Sequence, residues 1–253
     1  MIGQTSPEIN IEKFARYEFK YLLRSELFHK LVEEIAHFME YDGYVHPELN
    51  DSYFVRSLYF DDDLATNYYE KIDGIKVRRK FRIRTYEVTA EQEAPIYLEE
   101  KGRTIERTYK RRTQIMTDHL PLFYNPQLNS EQILKLYSGA DLVESMVFNT
   151  LRKNLKPRVL VDYLRKPFTS EYDAHFRVTF DTALKASSVA SLFPDSAANW
   201  IRAEAGYTIL EVKFNRRIPA WFHKILQAYN MRRLSISKFC KGMEVCNLAQ
   251  DLS

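Results

Sequence analysis

The chain has 253 residues, 45% hydrophobic and 28% charged, which is ordinary for a soluble globular protein and long enough for one large domain. A net charge of +3 is too small for a general nucleic-acid binder, so any anion-binding function has to come from local clustering of charge. No apolar run approaches the ~20 residues needed to span a bilayer, the start of the chain has no apolar signal-peptide core, and Cys240 and Cys246 fall on different sides of a helix as unpaired thiols, so a cytoplasmic protein is expected.

Residues 1–13 read as a loose leader within a single domain spanning 1–253. Residues 16–22 alternate Tyr17, Phe19 and Tyr21 against Arg16, Glu18 and Lys20, which predicts a half-buried strand. Ser25 then caps a helix whose apolar stripe is Leu27, Phe28, Leu31, Val32, Ile35 and Phe38. A loop covers 42–51, a strand 55–61, and the run Asp61-Asp62-Asp63 marks a turn or helix start. Residues 76–87, 96–103 and 104–113 read as three strands of a meander, followed by a loop over 121–132. Residues 131–154 are helical with a break near Gly139, and 158–164, 174–181 and 208–214 are three further strands. Pro219 opens a helix through Tyr229, and residues 237–248 hold the last helix or two. Some eight closely spaced strands with no room for parallel crossovers predict an α+β fold: an antiparallel eight-stranded β-barrel with flanking helices.

The chemistry concentrates in the strand that contains Lys76, Arg78, Lys80, Arg82 and Arg84, which alternation places on one face, with Val77, Phe81 and Ile83 behind. Such a face can be the solvated side of a sheet. Like charges stacked in one row repel, however, and a face that only solubilises mixes its signs. Other strands repeat the arrangement: Glu18 with Lys20, Glu99 with Lys101, Glu211 with Lys213, Thr108 with Lys110 and Arg112, and His175 with Arg177, Thr179 and Asp181. With helices covering the apolar backs, the charged faces point inward. An eight-stranded barrel then encloses room for one slender ligand. Uncompensated cations there call for an anion, guanidinium forks suit phosphate oxygens, and the scattered carboxylates suit a divalent metal bridging phosphates. Tyr59 reads as core, and Arg158 and Lys241 as wall or rim residues. The six histidines show no metal-ligand spacing, and no P-loop, nucleophile elbow or Cys/His pair is present.

The order of strings Phe19-Lys20-Tyr21, Ser57-Leu58-Tyr59-Phe60-Asp61, Arg82-Ile83-Arg84, Leu98-Glu99-Glu100-Lys101, Tyr163-Leu164-Arg165, Arg177-Val178-Thr179-Phe180-Asp181-Thr182, Ile209-Leu210-Glu211-Val212-Lys213 and Ser237-Lys238-Phe239 resembles the triphosphate tunnel metalloenzyme (CYTH-like) fold. Within it the chain is most similar to the catalytic domain of the vacuolar transporter chaperone (VTC) polyphosphate polymerases, over roughly residues 14–245. The resemblance implies transfer of the terminal phosphoryl of ATP, or of another triphosphate, onto polyphosphate. It implies catalytic basic groups at Arg82, Arg84, Lys101, Lys110, Arg165 and Arg177. Lys20 and Lys238 would bind substrate, joined by Lys213, Arg158 and Lys80 from the basic faces. Glu211, with Glu18, would hold Mn²⁺ or Mg²⁺. The tunnel-enzyme motif Glu-x-Glu-x-Lys here reads Arg16-x-Glu18-x-Lys20, which leans away from the two-carboxylate hydrolases and toward the polymerases. An inorganic triphosphatase or polyphosphatase and a non-catalytic polyphosphate binder remain the alternatives.

Overall fold

The computed structural model describes residues 17–90, 95–105 and 107–251. The expected leader over 1–13 and the position Arg16 lie outside these residues. The strands are β1 (Tyr17–Arg24), β2 (Glu40–Tyr41), β3 (Tyr53–Asp61), β4 (Val77–Thr85), β5 (Ile96–Thr104), β6 (Arg107–Ile115), β7 (Lys156–Thr169), β8 (Arg177–Ser187), β9 (Ile201–Arg202) and β10 (Tyr207–Phe214). The helices are α1 (Ser25–Ala36), α2 (Thr66–Ile72), α3 (Ser130–Leu136), α4 (Asp141–Lys153), α5 (Ala220–Ala228) and α6 (Lys238–Val245).

All the pairings are antiparallel, and the main sheet runs β1-β10-β8-β7-β3-β4-β5-β6, with β2 on β7 and β9 on β8. The antiparallel α+β fold expected from the sequence is therefore present. Its closure differs from the expectation. Among the described residues no ladder joins β1 to β6. The edge of β1 instead meets the segment after α5, where the Leu234 N–H donates to the Lys20 carbonyl at 2.8 Å. A side-chain bridge from Glu18 of β1 to Lys101 of β5 spans the gap at 3.2 Å.

Period-two alternation divides each strand between two environments. On the convex side, Leu31 and Ile35 of α1 and Phe222 and Ile225 of α5 pack on Tyr21, Val178, Phe180, Leu210 and Val212. Ile133 of α3 and Leu142, Val143, Met146 and Val147 of α4 pack on Leu58, Phe81, Ile83, Ile96 and Leu98. Gly139, at a φ of +79° between α3 and α4, supplies the left-handed turn that separates them. The first helix is not capped as expected: Arg24 occupies the cap, Ser25 is already helical, and the Arg24 side chain makes no capping hydrogen bond.

The concave side holds an apolar cluster that alternation did not reveal. Phe239, Cys240 and Met243 of α6 pack on Val55, Tyr59, Val159, Val161, Leu184 and Ala186. Gly242 lets the helix approach closely, since a Cβ there would meet Val161 at 2.9 Å and Val159 at 3.1 Å. The last helix therefore packs within the concave side of the sheet. An irregularity between β7 and β8, with Ala183 at a φ of +52°, allows Asp181 to reach Arg165 while Leu184 joins the concave apolar cluster.

Candidate functional site: a basic channel

The site begins on β4. Arg82 donates from Nε to Glu99 at 2.7 Å and from Nη1 to the Tyr59 hydroxyl at 3.0 Å. Arg84 donates from Nε to Ser57 at 3.0 Å and from Nη2 to the Tyr163 hydroxyl at 3.2 Å. Pairing of β3 with β4 sets Ser57 opposite Arg84 and Tyr59 opposite Arg82, so both guanidinium groups are aimed by fixed hydroxyls. Arg84 is only 6% exposed, yet its one ion pair among the described residues is the 3.9 Å contact with Glu99. The convex pair Arg56–Asp162 shows the usual solution to such burial, with two hydrogen bonds at 2.9 and 2.8 Å.

Glu99 is the hub of this wall. It is 1% exposed and also faces Lys110 at 2.8 Å and Arg112 at 3.5 Å from β6. Burial alone would raise its pKa. The fields of Arg82, Arg84 and Lys110 outweigh that and hold the carboxyl well below the ordinary range. Burial alone would raise the Tyr59 hydroxyl, but Arg82, Arg84 and Lys238 outweigh it and bring it down to about 8.

The opposite wall centres on Glu211 of β10. Its Oε1 lies 2.7 Å from Lys238 and 3.3 Å from Lys20, and its Oε2 lies 3.1 Å from Arg165 and 3.6 Å from Lys213. Arg165 also forms a two-pronged bond with Asp181 at 2.6 and 2.7 Å, and Lys238 pairs with Asp181 as well. Lys238 is the first residue of α6, so the helix packed on the concave side also carries a cation onto both carboxylates. Burial disfavours an ionised Glu211, but Lys238, Lys20 and Arg165 outweigh it and hold the pKa well below the ordinary range. Glu18 sits at the seam between the walls, 3.1 Å from Lys20 and 3.2 Å from Lys101.

Most of the residues singled out from the sequence thus converge on one concave surface: Lys20, Arg82, Arg84, Lys101, Lys110, Arg165, Lys213, Lys238, Glu18 and Glu211. Lys80 reaches the same face beside α6. Three further residues take other positions. Arg158 does not join the clusters; it is the extra residue in a β7 bulge opposite Tyr59 and Phe60, and bonds Asp63 at 3.0 Å. Arg177, at the start of β8, lies opposite Lys213 in the β8–β10 register and pairs with Asp42 from the loop after β2. His175 precedes that strand in an exposed turn. The sequence reading did not select Glu99, Asp181, Tyr163 or Arg112, and left Tyr59 in the core. The signal for Glu99 and Asp181 was present, since each shares a strand face with a basic residue.

Among the described residues, the carboxylates on this surface are Glu18, Glu99, Asp181 and Glu211. The cations Lys20, Lys80, Arg82, Arg84, Lys101, Lys110, Arg112, Arg165, Lys213 and Lys238 outnumber them more than two to one. An excess of this kind in a partly desolvated channel attracts polyanions. Glu18 and Glu211 share the Lys20 ammonium and supply hard oxygen donors. Among the described residues no group of three or more His, Cys, Asp or Glu side chains is placed to hold a metal. The donor set fits a Mg²⁺- or Mn²⁺-type ion completed by phosphate oxygens, and not an all-protein cage.

Lys80 gives a direct test of the tension between stability and anion binding. Its ammonium lies 4.3 Å from the Phe239 ring centroid and 3.9 Å from the Cys240 sulfur, with no carboxylate paired to it among the described residues. Burial pulls its pKa from the ordinary 10.5 to about 8. The unfolded chain therefore binds more protons than the folded chain between those values, and stability rises with pH across that window. Lys80→Met should stabilise the free protein by roughly 1–3 kcal/mol below pH 8, with the gain fading toward pH 10.5. The same variant should weaken polyphosphate binding. Melts and titrations at pH 7 and 9 check both; a destabilised variant at pH 7 would contradict this account.

Three solved structures are similar to the chain. A Bacillus halodurans protein assigned as an adenylate cyclase has 14% identity and a TM-score of 0.49, covering 88% of this chain and 95% of its own. A Hippeastrum protein assigned as an adenylyl cyclase, described as having a dominant triphosphatase activity, has 13% identity and a TM-score of 0.48, covering 88% and 93%. The PH1819 protein of Pyrococcus horikoshii has 13% identity and a TM-score of 0.41, covering 86% and 92%. No curated protein matches the sequence. The VTC domain family matches residues 15–247, which take in both walls of the channel and the helix packed on its concave side, and the chain belongs to that family.

Proposed function

We propose that the channel binds phosphate chains and transfers the terminal phosphoryl of a nucleoside triphosphate such as ATP onto polyphosphate. The observation that carries this reading is Arg84, a guanidinium 6% exposed, aimed by two hydroxyls and left with one 3.9 Å ion pair. A buried charge so thinly compensated is costly unless an anionic ligand completes it.

Phosphoryl transfer asks the protein mainly for alignment and charge neutralisation. Arg82 and Arg84 grip the donor from one wall, with Lys101 and Lys110 at the seam. Lys20, Arg165, Lys213 and Lys238 hold the acceptor chain against the other wall. Arg177 stands at the rim, where it can guide an incoming chain. Glu18 and Glu211 would hold a divalent ion, which would supply charge neutralisation for the phosphates. The carboxylates also favour transfer to phosphate over hydrolysis. Glu18, Glu99 and Glu211 are all held well below their ordinary pKa, which makes them poor bases for activating water. A phosphate acceptor is already ionised and needs no base.

Among the described residues, no helix is long and apolar enough to cross a membrane, and the reading needs none. Incubating the purified chain with ATP and Mn²⁺ tests it. Long phosphate chains on a gel are expected. Orthophosphate alone would establish a triphosphatase or polyphosphatase instead. Binding without turnover, lost in Arg82→Ala, would establish a non-catalytic binder.

A further inference from the structure

We propose that the open end of the channel carries a stacking platform for a nucleobase, built on Tyr97 and Arg112, which makes a nucleoside triphosphate the preferred donor over bare inorganic triphosphate. This deepens the proposed function and rests on its reading of the channel as a triphosphate site.

The Arg112 guanidinium carbon lies 3.4 Å from the centroid of the Tyr97 ring, a close stack, and its Nη2 donates to the Tyr86 hydroxyl at 3.2 Å. Tyr86 meets Tyr97 edge-on at 6.4 Å and Tyr53 edge-on at 5.8 Å. These residues come from the start of β3, the end of β4, the start of β5 and the end of β6, which antiparallel pairing brings to one end of the sheet. The three rings are half-buried, and the Arg112 side chain is 36% exposed. The group is continuous with the phosphate wall, because Arg112 Nε lies 3.5 Å from Glu99, the carboxylate that holds Arg82.

Two features point to a base and not to a plain structural cap. The Arg112–Tyr97 stack adjoins the wall formed by Glu99 and Arg82, while Tyr53 and Tyr86 also pack against the concave apolar cluster around α6. A triphosphate lying along Arg82 and Arg84 can therefore place its nucleoside over the Arg112–Tyr97 stack. A guanidinium plane already stacked on a tyrosine also offers a flat, cationic outer surface, which suits a base of any sequence.

The test measures binding of ATP and of inorganic tripolyphosphate, each with Mg²⁺, to the full chain and to its Tyr97→Leu and Tyr97→Phe variants. Tyr97→Leu should weaken ATP about tenfold or more and leave tripolyphosphate near the wild-type value, which also shows that the variant is folded. Tyr97→Phe keeps the ring and should restore ATP. Equal losses for both ligands, or no loss for ATP, would overturn the platform and leave the phosphate channel standing. Failure of wild type to bind either ligand at low salt would overturn both.

Discussion

Glu99→Gln should lower stability by about 3–5 kcal/mol, the cost of removing one partner from a buried ion cluster, or roughly 6–20 °C in melting temperature for a chain of this size. Four cations, Arg82, Arg84, Lys110 and Arg112, would then face one another across a neutral amide. The variant separates two roles of that wall. If the cations are there to take phosphate, polyphosphate should raise the melting temperature of Glu99→Gln by more than it raises that of wild type. The ligand would then supply the negative charge the mutation removes, and binding to the folded state adds stability in proportion to affinity. The pH profile follows with a definite sign. The Glu99 pKa is depressed in the folded state, so its stabilisation is complete above the unfolded value of about 4.5 and is lost as pH falls below it. Acid unfolding of wild type should start in that range, and Glu99→Gln should have a shallower acid limb. Melts of both proteins from pH 3 to 8, with and without polyphosphate, check this. Equal ligand shifts in the two proteins would remove the cations from the binding account.

What the sequence made legible was local periodicity. Arg82 and Arg84 share a face because strands alternate, and that face is concave because Phe81 and Ile83 behind it are buried under α3 and α4. The same logic placed Lys20 with Glu18 and Lys213 with Glu211. It failed where backbone geometry departs from period two. Arg158 is an extra residue in a bulge, and Asp181 and Leu184 both serve the concave side because of the irregularity at Ala183. It also failed where meaning depends on partners distant in sequence. Glu99 looks like one half of a Glu-x-Lys pair until the β4–β5 and β5–β6 registers surround it with arginines and lysines. The aromatic group at the open end needs β3, β4, β5 and β6 together. The position of α6 was hidden for a similar reason: its apolar stripe fits either side of the sheet, and the concave residues Val159, Val161 and Ala186 decide the matter only once the fold exists.

Glu211→Gln should separate catalysis from capture. Glu211 is 4% exposed and meets Lys20, Arg165, Lys213 and Lys238, so it looks at first like a structural counter-ion for the second wall. A purely structural Glu211 predicts that the glutamine variant loses stability and that turnover falls only with the folded fraction. A carboxylate that also positions a divalent ion and the phosphates predicts more. Turnover per folded molecule should drop roughly a hundredfold or more, in line with loss of one positioned electrostatic element at a reacting centre. Polyphosphate affinity should hold or rise, because four cations lose a competitor for the ligand's oxygens. Glu211→Asp sharpens the distinction. It keeps the charge that compensates Arg165 and Lys238, so it should recover most of the stability, but it withdraws the carboxylate by one methylene and should remain slow. Measuring rate and affinity in the presence of enough polyphosphate to keep each variant folded removes stability from the comparison. A Glu211→Gln protein that is folded, binds polyphosphate and turns over ATP near the wild-type rate would confine Glu211 to structure and move the metal-binding role elsewhere in the channel. The depressed pKa of Glu211 makes the contrast insensitive to pH above about 5, since the group stays ionised throughout. A rate loss that appears at pH 6 and persists unchanged at pH 8 is therefore the signature expected of a fixed carboxylate, whereas a proton-transferring base would give a loss that varies with pH.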